Sequence, residues 1–198
     1  MNKLQTPVLG DGFRIAHFPE LQAATTLLAP VIRHFNNYEG IAIYQPGEGA
    51  PQVELLRMRD ITCRQWPNDI PRDSVLTELQ TSQATLLGPR DITFDQVGVF
   101  QTPKKEFFIN LVPGAADQVL LIDTRKALFQ TVERAAGFIQ KTPPKNKITM
   151  RVGFMPPGTP GIITGTIEEE LKARLPATLP FLAATISTTA IQRPRPAA

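Results

Sequence analysis

The chain offers two histidines, one cysteine and 21 lysines and arginines, so its chemistry rests on cations more than on nucleophiles or metal ligands. In the stretch Val53 to Trp66 (VELLRMRDITCRQW), Arg57 and Arg59 alternate with Leu56 and Met58. On a strand, that alternation sends both guanidiniums to one face and the aliphatic side chains to the other. Arg64 and Trp66 share a face in the same way, and a guanidinium beside an indole can hold a phosphate while the ring stacks on a base. The plainer reading is a half-exposed strand whose arginines pair with Glu54, Asp60 or nearby carboxylates. The run Lys141, Lys145, Lys147 and Arg151 reads first as a solvated rim. His17 ends a β-prone stretch, and His34 falls near the end of a helical pattern, where an imidazolium complements the helix dipole. Cys63 sits beside Arg64, a cation able to lower a thiol pKa, but no histidine accompanies it in sequence and a core cysteine is the simpler assignment. A single cysteine excludes an intramolecular disulfide, and no GxSxG, HExxH, CxxC or EF-hand loop occurs, so no metal or cofactor is expected.

These side chains need elements to position them. At 198 residues, 42% hydrophobic and 20% charged, the chain has the composition of one globular domain with a proper core. A formal charge of +3 and a sequence pI of about 9.2 permit anionic partners but fall short of the clustered charge that duplex DNA demands. There is no eighteen-residue apolar span and no secretory h-region, so a cytoplasmic protein that avoids membranes is expected. Prolines gather at junctions such as WPNDIP, TPPKN, MPPGTPG and LPATLP, where they punctuate many short elements. Hydrophobic spacing predicts a strand over 13–18, a helix over 20–35, a strand over 40–44, a strand or bent hairpin over 53–66, a helix over 71–87 and a strand over 92–100. The second half follows with a strand over 106–112, a helix over 123–140, a strand over 147–154, a helix over 166–175 and a strand over 181–191. Residues 1–12 read as an N-terminal extension, 13–191 as one bilobal domain with halves at about 13–100 and 106–191, and 192–198 as a flexible tail. Each half is a β-α-β-α-β unit, which makes an α+β protein of two equivalent lobes. A doubly wound α/β sheet is the alternative, and in its nucleotide-binding forms it would carry a GxGxxG or P-loop signature that this sequence lacks.

Two small lobes of this element order resemble the two-histidine (2H) phosphoesterase superfamily, which contains RNA 2',3'-cyclic phosphodiesterases and the 2'-5' RNA ligases. The segment ITFDQVGVFQTPKKEFFINLV looks most like it: a strand ending in a phenylalanine, a basic, proline-containing turn over Gln101 to Lys105, and a second apolar strand ahead of a long helix. The run YEGIAIYQP stands where that family has its first His-x-Thr motif, and PPKNKITMRVGF where it has its second. Here the first reads Gly40-Ile41-Ala42 and the second Lys147-Ile148-Thr149, so both histidines are absent and only Thr149 matches. In the family the two imidazoles act as general base and general acid, a division of labour that needs groups titrating near neutral pH. Lysine starts near a pKa of about 10.4, and glycine and alanine have no proton to exchange.

The resemblance implies mostly antiparallel sheets around a central cleft, with strands 40–44 and 147–154 facing each other across it. Lys147 and Thr149 then lie on its floor as a cation and a hydroxyl for a phosphate or carboxylate, while Gly40 leaves room for a bulky ligand group. The plainer reading has Lys147 solvent-facing at the end of the loop PPKNK and Thr149 chosen for β-propensity. Arg57, Arg59, Arg64, Trp66, Tyr44 and Arg151 complete the candidate ligand set. His17 can replace a lost imidazole if its strand neighbours 40–44. The expected function is a degenerate 2H-fold protein that binds a nucleotide or other phosphorylated ligand without turning it over, as a sensor or a sequestering sponge, with RNA as a further partner. One alternative is a phosphodiesterase for 2',3'-cyclic or 2'-5' bonds that uses His17 or Lys147. The other is a protein-interaction module built on the proline-rich loops and the tail.

Overall fold

The computed structural model of the chain describes residues 10–45, 51–57, 72–136 and 147–191. In order these form β1 (Gly10–His17), α1 (Leu21–Phe35), β2 (Ala42–Ile43), β3 (Gln52–Arg57), α2 (Arg72–Ser82), α3 (Ala84–Leu87), β4 (Arg90–Gln101), β5 (Phe107–Pro113), α4 (Ala115–Ala136), β6 (Met150–Met155), α5 (Gly161–Lys172), β7 (Ala177–Phe181) and β8 (Thr185–Ile191). Helix α1 follows its pattern closely: Ala24, Leu27, Leu28, Val31 and Phe35 recur at helical spacing and are buried, and Arg33 and His34 lie in the last turn. Pro30 is accommodated within it. Helix α4 begins at Ala115, ahead of the 123 expected from periodicity, because Val119 and Leu120 face solvent and blur the apolar stripe. Its first turn is fixed instead by Asp117, whose Oδ2 accepts the Thr93 N–H at 2.7 Å. Helix α5 likewise starts earlier than expected, after Pro160, because Gly161 and Gly165 read as turn residues although neither is crowded in the helix. The strand expected over 181–191 is β8, while β7 lies in the proline-flanked stretch LPATLP that reads from sequence as a junction.

Every strand pairing among the described residues is antiparallel, which a doubly wound parallel sheet is not. The sheet runs β7-β4-β5-β6-β3-β1-β8, with β2 pairing β6 beside β3. The two sequence halves interleave: β4 lies between β5 and β7, and β8 pairs β1. Strands β7 and β8 stand at opposite ends of that order yet are consecutive in the chain. Seven flat strands would span about 29 Å from first to last, whereas the connection from Phe181 to Thr185 reaches at most about 14 Å. The sheet therefore curls into a half-barrel. Where its ends approach, Leu182 N–H donates to Phe18 O at 2.9 Å, Glu20 N–H to Pro180 O at 2.8 Å, and Pro19 bridges Phe181.

The core lies on one face of this sheet. Val97, Leu111, Met150 and Val53 are cross-strand partners in one row, as are Val99, Ile109, Gly153 and Ile43 in the next. Leu111, Met150, Val53, Ile109 and Ile43 are fully buried and join one cluster with Leu28, Val31, Leu121, Leu128, Ile167 and Leu171 from the helices. The helices add their buried residues to this cluster, and the opposite face of the sheet is the one they leave uncovered.

Candidate functional site

The helix-free face can be read from the strand register, because directly paired residues share a face. One row is Phe100, Phe108, Phe154 and Ala42, and the next is Gly98, Asn110, Arg151 and Gln52. The register shifts between Ile109 and Asn110, which lets Arg151 and Phe154 occupy the same face although they are three residues apart. Lys147 and Thr149 reach this face from the segment just before β6. The Lys147 ammonium stands 5.9 Å from the centre of the Phe100 ring, and the Arg151 guanidinium lies 3.8 Å from the centre of the Phe108 ring. Phe108 in turn contacts Phe154, with ring centres 5.6 Å apart. Neither Lys147 nor Arg151 makes an ion pair among the described residues, so two cations stand uncompensated on an aromatic surface.

Asn110 is the polar residue set deepest in this face, only 5% exposed. Its Nδ2 donates to Phe108 O at 3.2 Å, which fixes the amide's orientation because a carbonyl only accepts. Its Oδ1 must then accept from the Thr149 hydroxyl, at 3.3 Å. That distance is long for an O–H···O bond, whose usual range is about 2.5–3.0 Å, so the Thr149 proton is loosely held and free to turn toward an anion. The Gln52 Oε1 in the same row is buried with no hydrogen-bond partner. Lys147, Thr149 and Arg151, singled out from sequence, thus come together, while Phe100, Phe108, Phe154, Asn110 and Gln52 were missed. The available signal was an asparagine interrupting the apolar run FFINLV.

The other candidates fall elsewhere. Tyr44 is half-buried, and its backbone N–H donates to Val152 O at 2.8 Å, which ties it to β6. Strands 40–44 and 147–154 lie side by side in the sheet, Ala42 paired with Phe154 and Ile43 with Gly153, so they are hydrogen-bonded neighbours. The space at Gly40 is occupied by Pro156: a Cβ there would lie 3.0 Å from Pro156 Cγ, and its φ of +75° is what calls for glycine. The backbone of Arg57 pairs with Arg14, and its side chain lies outside the described residues. Arg59, Cys63, Arg64 and Trp66 also lie outside them.

His17 belongs to the opposite face. Strand β1 pairs with β3 and β8 and not with β2, and His17 sits opposite Val53, in the helix-covered row. It is fully buried, and its Nδ1 lies 2.8 Å from Leu182 O. Since that carbonyl only accepts, Nδ1 carries the proton, leaving Nε2 bare, buried and without a partner. Desolvation lowers its pKa below the usual 6.5, the Leu182 bond acts in the opposite sense, and the nearby Arg90 cation lowers it further. Arg90, itself lowered by burial, donates to Thr124 Oγ1 at 3.3 Å and to Leu86 O. The structure does not bring His17 to Lys147 and Thr149.

Among the described residues no group of three His, Cys, Asp or Glu side chains is placed to hold a metal, and no helix is long and apolar enough to cross a membrane. No protein-family model matches the chain, and no curated protein matches it.

Proposed function

We propose that the helix-free face of the sheet is the cleft of a degenerate 2H-fold protein, which binds a nucleotide or other phosphorylated ligand without turning it over. The observation that carries this reading is the pair of uncompensated cations, Lys147 and Arg151, on a face lined by Phe100, Phe108 and Phe154. An anion bound there gains charge-assisted hydrogen bonds from both side chains, and the Thr149 hydroxyl adds a third donor. The two wings of the sheet, β7-β4-β5-β6 and β3-β1-β8, correspond in this reading to the two lobes, and the runs at the His-x-Thr positions meet at their seam. Binding is favoured over hydrolysis because phosphodiester cleavage by general acid and base needs two proton-transfer groups on one ligand. Here the only buried imidazole among the described residues faces the helices, and Gly40 and Ala42 supply no titrating group.

The test is equilibrium filtration of the protein with linear, 2',3'-cyclic and cyclic-oligonucleotide ligands, followed by chromatography of the filtrate and of the heat-released fraction. A retained ligand recovered intact is expected. In Lys147→Ala and Arg151→Ala, retention should weaken by about tenfold or more each, the value of one hydrogen bond to a charged group. Conversion of ligand to product would replace the binding reading with the phosphodiesterase, and unchanged retention in the double variant would remove the site.

A further inference from the structure

We propose that the outer face of the Phe100 ring is a stacking subsite for a nucleobase, so that the ligand of this cleft is a nucleotide and not a sugar phosphate; the inference rests on the phosphate-binding reading above. Phe100 is 44% exposed, in contrast to Phe94 and Phe181, which are buried in the core. Its ring is folded back along its own strand over Gly98. A Cβ at residue 98 would lie 2.7 Å from Phe100 Cε2 and 3.0 Å from Cζ, closer than such contacts occur, so only glycine lets the ring lie there. The ring meets the backbone at Gly98 through its Cε2–Cζ side, and at 44% exposure much of its remaining surface is open to solvent. An apolar plate held open to water costs solvation free energy, and a stacking partner recovers it.

The neighbouring charges fit the same ligand. The Lys147 ammonium stands 5.9 Å from the ring centre, near the outer limit of about 6 Å for a cation–π contact, so its hold on the ring is weak and easily exchanged for a phosphate. The Arg151 guanidinium is stacked on Phe108, one strand over, and its side chain is exposed. An open ring flanked by an ammonium and a guanidinium matches a base joined through a sugar to a phosphate. A sugar phosphate or inorganic phosphate would use the cations and leave the ring wet.

Calorimetric titration with AMP, 2',3'-cyclic AMP, the dinucleotide ApA, ribose 5-phosphate and inorganic phosphate tests the subsite. At least one base-bearing ligand should bind about tenfold or more tightly than ribose 5-phosphate, the lower part of the range for one stacked base. Phe100→Leu, which keeps an apolar side chain at this exposed position, should erase that advantage. Gly98→Ala should do the same by displacing the ring, and Phe100→Trp should retain the preference. If ribose 5-phosphate binds as tightly as every base-bearing ligand, or if the preference survives in Phe100→Leu and Gly98→Ala, the stacking subsite is wrong while the phosphate site stands. If none of the five ligands binds, the phosphate-binding reading fails and this inference fails with it.

Discussion

His17 illustrates how a side chain's role is decided by what surrounds it. A histidine at the end of a strand reads from sequence as a possible acid or base, but its ring is sealed under the helices with Nδ1 committed to Leu182 O and Nε2 unpaired. Burial is the largest influence and keeps the folded-state pKa below 6.5, so between that depressed value and 6.5 the unfolded chain binds more protons than the folded one. Stability should therefore be fully present above about pH 6.5 and decline as pH falls below it. Urea midpoints measured at pH 7.5 and 5.5 check the sign, and His17→Asn, which keeps an N–H near Leu182 O but does not titrate, should flatten the difference. The opposite slope in the native chain would mean that the ring is charged when folded. Lys147, Thr149 and Arg151 were legible because charge and spacing are local properties. The aromatic partners were not, because Phe100, Phe108 and Phe154 look like core residues until the register shows that they share the face turned away from the helices.

At the scale of elements, the two-residue strand β2 depends on a helix end. Asn36, the C-terminal cap of α1, receives the Ile43 N–H on Oδ1 at 2.7 Å and donates from Nδ2 to Ile43 O at 3.1 Å. Its side-chain amide thus serves β2 much as another strand would, while β6 pairs on the other side. Asn36→Ala should cost about 1–3 kcal/mol through the loss of both bonds and the exposure of unmet backbone groups, read as a lower urea midpoint at constant m-value. Ligand retention should weaken too, because β2 carries Ala42 beside Phe154. A variant as stable as the native chain would show that β6 alone suffices to place β2. Most elements were readable from periodicity and punctuation, and the errors have specific causes. Exposed Val119 and Leu120 hid the start of α4, glycines hid the start of α5, and the prolines of LPATLP hid β7.

Across the whole molecule, the arrangement that sequence patterns could not reveal is the pairing of distant strands. Local spacing shows that residues 10–17 and 185–191 favour strands, but nothing local shows that Gly10 lies opposite Ile191, or that β4 belongs between two strands of the second half. The same pairing gives a prediction at this scale. A chain ended after Ala184 lacks β8, so the edge of β1 loses its partner while the core stays largely intact. Such a chain should form oligomers on size exclusion and bind an amyloid-sensitive dye, and a monomer as soluble as the full protein would refute this. The pairing also matters while the protein is being made. During translation β1 leaves the ribosome ahead of β2 to β7, and its outer partner β8 follows all of them, so β1 must wait with one edge open. Protection of the nascent chain, by a chaperone or by slow release, matters more for this protein than for one whose neighbouring strands follow one another in order.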